Sequence, residues 1–149
     1  RYWDGRIVKL GSRGEELIKS YEQLRLVAYL PTPDDVPTIG WGHTRGVKLG
    51  QTITEREAQE MFLGDVSIAE KIVNRLSVAL TQSMFDSLTS LAFNVGTLGS
   101  SIPKALKAGD YFKAWEAFAL WRKQSGKNLL GIARRRAKEM VLFLEDGII

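Results

Sequence analysis

The chain of 149 residues has the length of one domain, and its 44% apolar and 26% charged residues are typical of a globular protein. It contains no cysteine, which excludes disulfides, thiolate nucleophiles and thiolate metal sites, and no apolar run long enough to cross a bilayer. A net charge of +4 favours anionic polymers such as nucleic acid, anionic lipid or the bacterial wall, without choosing among them.

The first eleven residues show no clear periodicity, and we interpret them as an N-terminal extension or linker before a single domain at residues 12–145. The chain begins at Arg1 and not at Met. We therefore expect that upstream residues, with a possible export or anchor segment, have been removed.

A first helix is predicted over about residues 13–23, because Ser12 and Glu15 have the spacing of a capping box. Its predicted inner stripe consists of Leu17, Tyr21 and Leu24, with Ile18 at one edge. Glu22 falls at the border between this stripe and solvent, where partial desolvation favours the protonated form of a carboxyl group. Taken alone, a residue at this position is more often a solvated helix-end glutamate.

A β-hairpin is predicted next, from apolar runs at residues 26–30 and 36–41 around the tip Pro31-Thr-Pro-Asp-Asp35. Residues 46–50 are predicted as a third strand or an extended run. One carboxylate thus ends a helix, and two more lie beside the hydroxyl of Thr38 on the hairpin. Paired carboxylates across a cleft are what the hydrolysis of a glycosidic bond requires.

Five further helices follow in the predicted order. They cover about residues 55–76, 82–93, 101–107, 111–123 and 132–144. The first of these helices begins with the capping box Thr54-Glu-Arg-Glu57, and the second lies between the N-cap Thr81 and Gly96, which ends it. Ser100 or Ser101 begins the third. The helix at 111–123 is predicted to pack Phe112, Trp115, Ala119 and Trp121, and residues 124–131 are predicted to form a polar loop.

Asp65 is anomalous, because it interrupts an otherwise apolar face of the long helix. The rest of that face consists of Ala58, Met61, Phe62, Ala69, Ile72 and Leu76. A buried carboxylate needs a partner, and His43, the only histidine in the sequence, is the obvious candidate. We predict a structural pair and not a catalytic one.

Three motifs in chain order resemble the phage-type lysozymes (endolysins) of glycoside hydrolase family 24. They are Glu22-Gln-Leu-Arg-Leu-Val-Ala-Tyr29 with Thr38-Ile-Gly-Trp-Gly-His-Thr44, then Phe93-Asn-Val-Gly96, then Gly131-Ile-Ala-Arg-Arg-Arg-Ala-Lys-Glu139. The resemblance covers about residues 12–145. It implies an α+β fold in which a small β-hairpin lobe, around residues 26–50, and a larger helical lobe are joined by the long helix, with a cleft between the lobes.

The family carries a glutamate, then eight residues, Asp or Cys, then five residues, and a threonine. Glu22 and Thr38 match the ends of this pattern, but the segment between them is one residue longer, and neither count reaches an acid. The resemblance implies that Glu22 is the general acid of an inverting hydrolase, with an aspartate that orients water and Thr38 as its helper. Asp35 is preferred for that role because it is nearer to Thr38 along the chain, whereas strict strand alternation would favour Asp34.

The resemblance also implies substrate-binding residues and a substrate. Phe93 and Asn94 would line the sugar cleft, and Arg136, or Arg135 if the register slips by one residue, would contact the catalytic glutamate. The substrate would be the β-1,4 bond between N-acetylmuramic acid and N-acetylglucosamine in bacterial peptidoglycan, and the role would be host-cell lysis at the end of a phage cycle.

No metal or organic cofactor is expected, since one histidine cannot build a histidine-rich metal site. We expect a monomer that is made in the host cytoplasm and acts on the cell wall in the periplasm. Membrane contact would arise only through a possible missing N-terminal segment.

Several other interpretations remain open. A non-hydrolytic transglycosylase needs Glu22 and no second acid, and a catalytically decayed peptidoglycan-binding module would also fit the displaced aspartate. A nucleic-acid binder is suggested by the pI near 9.4 and by residues 134–136, but it does not account for the hairpin or its acids. We therefore expect no nucleic-acid partner. Ser-His-Asp chemistry would require His43 as its base, and the place of His43 beside Asp65 argues against that.

Overall fold

A computed structural model gives the structure of residues 3–124 and 127–149. The chain divides into two compact units, a hairpin unit of Ile18–Ser67 and a helical unit of Arg1–Leu17 with Ile68–Ile149. Residues 1–2 of the predicted extension and residues 125–126 of the predicted loop lie outside the described part of the chain.

The described residues form the predicted helices and hairpin in the predicted order. They also form a short antiparallel pair, and a last helix that begins at Leu130, where the sequence predicted only a polar loop. These elements are α1 (Ser12–Tyr21), β1 (Arg25–Tyr29), β2 (Thr38–Gly40), α2 (Glu55–Asn74), α3 (Gln82–Val95), α4 (Ser101–Lys107), α5 (Tyr111–Ala117), β3 (Lys123–Gln124), β4 (Lys127–Asn128) and α6 (Leu130–Leu144). A small antiparallel pair lies in the hairpin unit and α3 to α6 lie in the helical unit, so the predicted α+β class is confirmed. Among these helices none is long and apolar enough to cross a bilayer.

The hairpin has shorter strands and a longer tip than the sequence predicts. Arg25 pairs with Gly40 and Tyr29 pairs with Thr38, and β1 advances further than β2 between these two pairs, which is a β-bulge. The tip therefore spans residues 30–37. The core of the hairpin unit consists of Ala28, Ile39, Val47, Ile53 and Ala58.

The predicted third strand at residues 46–50 is wrong. That segment forms turns, because the glycines at its two ends adopt positive φ angles of 69° and 90°. The chain becomes extended only at residues 51–53, where the Ala28 N–H donates to the Gln51 carbonyl at 2.9 Å. The extended segment thus pairs with β1 a few residues later than predicted.

Helix α1 begins at Ser12, one residue earlier than predicted, and Ser12 is therefore not its N-cap. The Glu15 N–H donates to the Gly11 carbonyl at 3.0 Å, which makes Gly11 the capping residue. The Gly11 N–H, which the glutamate of a capping box would accept, donates to the buried carboxylate of Asp86 in α3 at 2.9 Å. The backbone N–H of the capping residue thus has a tertiary partner and not a local one.

The segment before α1 is bound to the helical unit through its backbone. Asn74 accepts the Val8 N–H at 3.0 Å and donates to the Val8 carbonyl at 3.0 Å. The buried carboxylate of Glu70 accepts the Leu10 N–H at 2.6 Å. These side chains of α2 satisfy the backbone of residues that form no helix or strand of their own.

The capping box of α2 is confirmed. The Thr54 N–H donates to Glu57 Oε1 at 3.1 Å, and the Glu57 N–H donates to Thr54 Oγ1 at 3.1 Å. The buried face of the helix is rotated relative to the prediction, because Val66 and Val73 are buried while Met61, Asp65 and Ile72 lie at its edge. The buried apolar residues of α2 are Ala58, Phe62, Val66, Ala69 and Val73, and Leu76 is buried just after the helix.

Helix α3 is buried along most of its length. Its predicted ends are confirmed: Thr81 Oγ1 accepts the Met84 N–H at 3.1 Å, and Gly96 follows with a left-handed φ of 86°. Residues 83–92 are all buried, and α3 packs against α6 in the core of the helical unit.

The predicted packing of the helix at residues 111–123 is only partly right. Phe112 is 59% exposed and Ala119 is also exposed, so the predicted burial of both is wrong. Instead Ala114, Ala117 and Phe118 are buried, and the ring of Phe118 packs edge-on against Phe143 at 5.6 Å. Helix α5 ends at Ala117 and continues as a 3₁₀ turn, which changes the face that a continuous α-helix would have buried.

Candidate active site

Glu22 lies directly after α1, where its N–H donates to the Ile18 carbonyl at 3.1 Å. The residue is half-buried, as predicted for the border of the helix. Its carboxylate lies against Gly42: a Cβ at that glycine would stand 2.5 Å from Glu22 Oε2 and 3.1 Å from Cδ. The missing side chain of Gly42 therefore provides the space that the carboxylate occupies.

A tight turn brings Gly42 to this place. Ile39 and His43 exchange two backbone hydrogen bonds, at 2.9 Å and 2.8 Å, which close the chain around residues 40–42. Gly40 and Gly42 adopt φ angles of 65° and 78°, values that favour glycine. The Gly-x-Gly-His sequence is thus explained by backbone geometry at two positions and by close approach of a carboxylate at the second.

The hairpin tip places Thr38 and the two aspartates in different surroundings. Thr38 is buried at the start of β2, and its hydroxyl donates to the Val36 carbonyl at 3.0 Å. Asp34 and Asp35 are exposed, and Asp35 Oδ1 accepts the Val36 N–H at 3.0 Å. No hydrogen bond joins either aspartate to Thr38 in the part of the chain that the structure describes.

The predicted pair of His43 and Asp65 is confirmed. His43 Nδ1 lies 2.8 Å from Asp65 Oδ2, and Nε2 lies 3.0 Å from the Arg45 carbonyl. The guanidinium of Arg45 donates to Asp65 Oδ1 at 2.6 Å, a third member that the sequence did not suggest. Both ring nitrogens of His43 therefore face oxygen atoms that can accept a hydrogen bond.

In the helical unit, the structure brings two of the predicted site residues together. Arg136 Nη2 donates to Asn94 Oδ1 at 2.7 Å, and Arg136 is only 2% exposed. The Arg136 guanidinium also forms an ion pair with the buried Glu139, Nε to Oε1, at 2.6 Å. Phe93 is half-buried and Asn94 is exposed at the end of α3, so the amide has access to solvent.

Glu139 is the centre of a buried charge cluster. Ser90 Oγ donates to Glu139 Oε2 at 2.5 Å, and Arg135 Nε lies 3.4 Å from the same oxygen. Burial raises the pKa of Glu139, and Arg136, Arg135 and Ser90 oppose that shift by favouring its charged form. Because Arg135 and Arg136 are buried, residues 134–136 do not form the exposed basic patch on which the nucleic-acid interpretation relied.

A cavity of about 700 Å³ lies elsewhere in the helical unit, between the N-terminal segment and the α2–α3 connection. Trp3, Ile7, Ser77 and Gln82 are among its lining residues, and none of the predicted site residues line it. This cavity is therefore separate from the residues that the sequence motifs select. Within residues 3–124 and 127–149, no group of three His, Asp or Glu side chains could hold a metal ion.

Comparison with known proteins gives the same family as the motifs. Residues 19–139 match the phage lysozyme family. The chain belongs to that family. It is 35% identical to the endolysin of Salmonella phage P22 over 147 residues, which covers 93% of this chain and 99% of that protein. It also matches the endolysin of Bacillus phage B103 at 39% identity over 92% of this chain, but it spans only about half the length of that relative.

Solved structures of other proteins share the fold. The muramidase domain of SpmX from Asticaccaulis excentricus superposes with a TM-score of 0.81 at 35% identity, over 91% of this chain and 97% of that one. The active form of the P1 phage endolysin Lyz superposes with a TM-score of 0.86 at 28% identity, over 93% of this chain and 86% of that one.

The sequence of this member of the phage lysozyme family did not lead us to two contacts of the candidate site residues. The contact of Gly42 with Glu22 had a signal in the second glycine of the Gly-x-Gly-His motif. The role of Glu139 as counter-ion also had a signal, because it stands three residues after Arg136 and four after Arg135, on the same face of a helix.

Proposed function

We propose that this chain is an endolysin that hydrolyses the β-1,4 bond between N-acetylmuramic acid and N-acetylglucosamine in bacterial peptidoglycan. The observation that carries the proposal is the half-buried carboxylate of Glu22, held over Gly42 in a motif of the phage lysozyme family. The names of two relatives, an endolysin and a muramidase domain, support the same activity.

Glu22 is the general acid in this proposal. Cleavage of a glycosidic bond passes through an oxocarbenium-like transition state, and the leaving oxygen needs a proton. Glu22 gives its proton to that oxygen, so that the sugar leaves as an alcohol. The fixed place of the carboxylate against a glycine backbone holds the donor in one orientation, which general acid catalysis requires.

Asp35 is the proposed general base, with Asp34 as the alternative. The base takes a proton from water as the water oxygen bonds to the anomeric carbon on the face opposite the leaving group, which gives inversion. Thr38 acts as helper through its oxygen lone pairs, because its one hydroxyl proton is directed to the Val36 carbonyl. The exposure of both aspartates leaves them accessible to water.

Phe93, Asn94 and Arg136 are proposed as substrate-binding residues. Asn94 is exposed, and its amide oxygen accepts a hydrogen bond from the buried Arg136. This bond fixes the orientation of the amide group, so that the amide nitrogen can donate to an acceptor on a sugar. The predicted role of Arg136 beside the general acid stays a prediction. We further propose a monomer that acts on the host cell wall and lyses the host at the end of a phage cycle.

A transglycosylase is the second candidate, and a specific observation favours it. The family position of the aspartate is occupied by Pro31 or Thr32, and in the described residues no hydrogen bond ties a tip aspartate to Thr38. A transglycosylase needs Glu22 alone, because the 6-hydroxyl of the muramic acid itself attacks the anomeric carbon. A catalytically decayed binding module would retain wall binding with no turnover.

Mass spectrometry of the products from purified peptidoglycan tests the proposal. Hydrolysis leaves a reducing muramic acid, and the transglycosylase leaves the anhydro form. Glu22→Gln, with an amide that cannot donate the proton, should keep fold and wall binding and lose activity by about 100-fold or more. Clearing of walls by this variant at the parent rate would refute the role of Glu22, and binding without products in the parent chain would identify a decayed module.

A further inference from the structure

A lysine ammonium lies among aromatic rings one turn before the proposed general acid. Lys19 is half-buried on α1, and its Nζ atom lies 5.0 Å from the ring centroid of Trp41 and 4.9 Å from that of Phe62. The same Nζ donates to Gln59 Oε1 at 2.6 Å. Two aromatic faces and an amide oxygen thus converge on one cation.

Such a position is unusual for lysine. Its flexible stem normally keeps the ammonium in water, where its hydration is strong. Here Phe62 is only 1% exposed and Trp41 is half-buried, so the cation has exchanged part of its hydration for two ring faces. Cation–π attraction is strongest when the cation is desolvated, which makes this contact a stiff link between the elements that supply it.

The elements that Lys19 connects are those that place Glu22. Lys19 belongs to the last turn of α1, directly before Glu22, and Trp41 is bonded to Gly42, the residue over which the Glu22 carboxylate lies. Phe62 and Gln59 belong to α2, which supplies the third side of the link. The ammonium therefore joins the helix end that carries the carboxylate to the turn that receives it.

We propose that Lys19 is a positioning residue for Glu22. Held between Trp41 and Phe62, its ammonium keeps the end of α1 fixed against the glycine turn, so that the carboxylate stays over Gly42. The catalytic consequence rests on the proposed function, in which Glu22 is the general acid. The geometric consequence does not, since it concerns only where the carboxylate lies in the free protein.

A positioning role and a purely structural role predict different kinetics. A structural lysine would change the melting temperature and leave the turnover of the folded protein unchanged. A positioning lysine changes turnover in the folded protein, because a displacement of about 1 Å at a catalytic group can cost about 100-fold in rate. Substrate affinity would change little, since Lys19 touches the acid's support and not the sugar.

The kinetic test compares three variants with the parent on soluble peptidoglycan strands, below all melting temperatures. Lys19→Met keeps the length of the side chain and removes the charge, and Lys19→Arg keeps a cation that can stack on aromatic rings. Lys113→Met removes one exposed charge from α5 and controls for weaker attraction to an anionic wall. A fourth variant, Trp41→Leu, removes one ring face while Lys19 stays, and serves if Lys19→Met does not fold.

We expect Lys19→Met to lower kcat by about 10- to 100-fold with KM within about twofold of the parent. Lys19→Arg should recover most of the lost turnover, Trp41→Leu should lower kcat to a smaller extent, and Lys113→Met should behave as the parent. Parent-like kcat in Lys19→Met, or in Trp41→Leu where Lys19→Met does not fold, overturns the proposal. A kcat of Lys19→Arg that is no higher than that of Lys19→Met also overturns it.

A measurement without substrate separates this proposal from the proposed function. The nuclear Overhauser effect between the Glu22 side-chain protons and the Gly42 Hα protons reports directly on the place of the carboxylate. It should be present in the parent and in Lys113→Met, and weak in Lys19→Met. If it is lost in Lys19→Met while the parent does not cleave peptidoglycan, the positioning role stands and the proposed function fails. If it persists in Lys19→Met, the positioning role is wrong whatever the activity.

Discussion

At the scale of single residues, Gly42 shows how much chemistry can depend on an absent side chain. Two separate requirements meet at this position, a left-handed backbone and room for a carboxylate. Alanine would violate both, whereas at Gly46, where φ is 69° and a Cβ would meet no atom within 4 Å, it would violate only the first. The pair of glycines therefore allows the two requirements to be measured separately.

Gly42→Ala and Gly46→Ala should each lower the free energy of unfolding by about 1–2 kcal/mol, because both place a Cβ in the left-handed region. Only Gly42→Ala should also lose lytic activity, since its Cβ displaces the Glu22 carboxylate. Thermal melting and the turbidity of purified walls measure the two effects. Equal activity in the two variants would show that the carboxylate does not need the space over Gly42.

The two tip aspartates give a second prediction at this scale. Asp35→Ala should lower turbidity loss on purified walls by about 100-fold or more, and Asp34→Ala should leave most of the activity, because Asp35 is the proposed general base. The reverse result would name Asp34. Full activity in both variants would remove the need for a hairpin carboxylate and favour the transglycosylase interpretation, with Glu22 as its only acid.

At the scale of elements, the contact of His43 with Asp65 holds the turn after β2 against α2. The side chains are 12% and 18% exposed, so the pair is largely removed from solvent. Asp65→Asn should lower the free energy of unfolding by about 1–3 kcal/mol, since it leaves the Arg45 guanidinium without its counter-charge and the imidazole without its carboxylate partner. Activity should remain in the folded fraction.

A matched control for Asp65→Asn lies on the same helix. Glu60 is 67% exposed and forms an i,i+4 pair with Arg56 at 3.6 Å, so Glu60→Gln should change stability by less than about 0.5 kcal/mol. Chemical denaturation of both variants gives the comparison. Similar, small effects in the two would mean that the bond between the ring and Asp65 contributes little to folding.

The elements also show which features a sequence reveals. The capping box of α2 and the two ends of α3 were predicted correctly because their partners lie within a few residues of each other. The cap of α1 was predicted wrongly because its partner, Asp86, is 75 residues away along the chain. The third strand was misplaced for a similar reason: the turns at residues 46–50 are local, but the pairing that follows depends on β1.

In the candidate site, too, local features were predicted and contacts between distant segments were not. Motifs selected Glu22 and Thr38 as candidates, and helical periodicity led to the pairing of His43 with Asp65, which the structure confirms. The place of the Glu22 carboxylate over Gly42 and the cation link of Lys19 were not, because each depends on three-dimensional approach of separate elements. The aspartate role remains a prediction, since the tip of residues 30–37 is longer than any local rule for hairpins describes.

At the scale of the helical unit, the two ends of the chain are joined through one carboxylate. Asp146, after α6, accepts from the Arg13 guanidinium at 2.7 Å and from the Ser83 N–H in the first turn of α3 at 2.9 Å. The hydrogen bond from Arg13 lowers the pKa of Asp146, and the Ser83 N–H adds to the shift. The ionised carboxylate therefore caps α3 and holds α1 at once.

This arrangement predicts a pH dependence with a definite sign. Because the folded pKa of Asp146 lies below its ordinary value of 3.8, the ionised group stabilises the fold above about pH 4. That stability should be lost as the pH falls from about 4 through the lowered pKa. Asp146→Asn should weaken the acid dependence of the unfolding free energy, measured by denaturant titration from pH 7 to pH 2.

Glu16→Gln is the control for Asp146→Asn. Glu16 is exposed on α1 and is not one of the residues that contact Asp146. Its loss should leave the acid slope of stability as in the parent. An Asp146→Asn variant with the same slope as Glu16→Gln would show that the capping carboxylate makes no difference between the folded and unfolded states.

The burial of α3 has a consequence for how the protein opens. Residues 83–92 are covered on every side by the rest of the helical unit, so their amide hydrogens reach water only when that cover is removed. Deuterium uptake there should follow global unfolding, while the hairpin tip exchanges through small local fluctuations. The exchange rate of the slowest amides of α3 would then report the free energy of global unfolding. The exchange rates of the hairpin-tip amides, measured in the same sample, could be compared with it to give the free energy of local opening at the proposed catalytic aspartates.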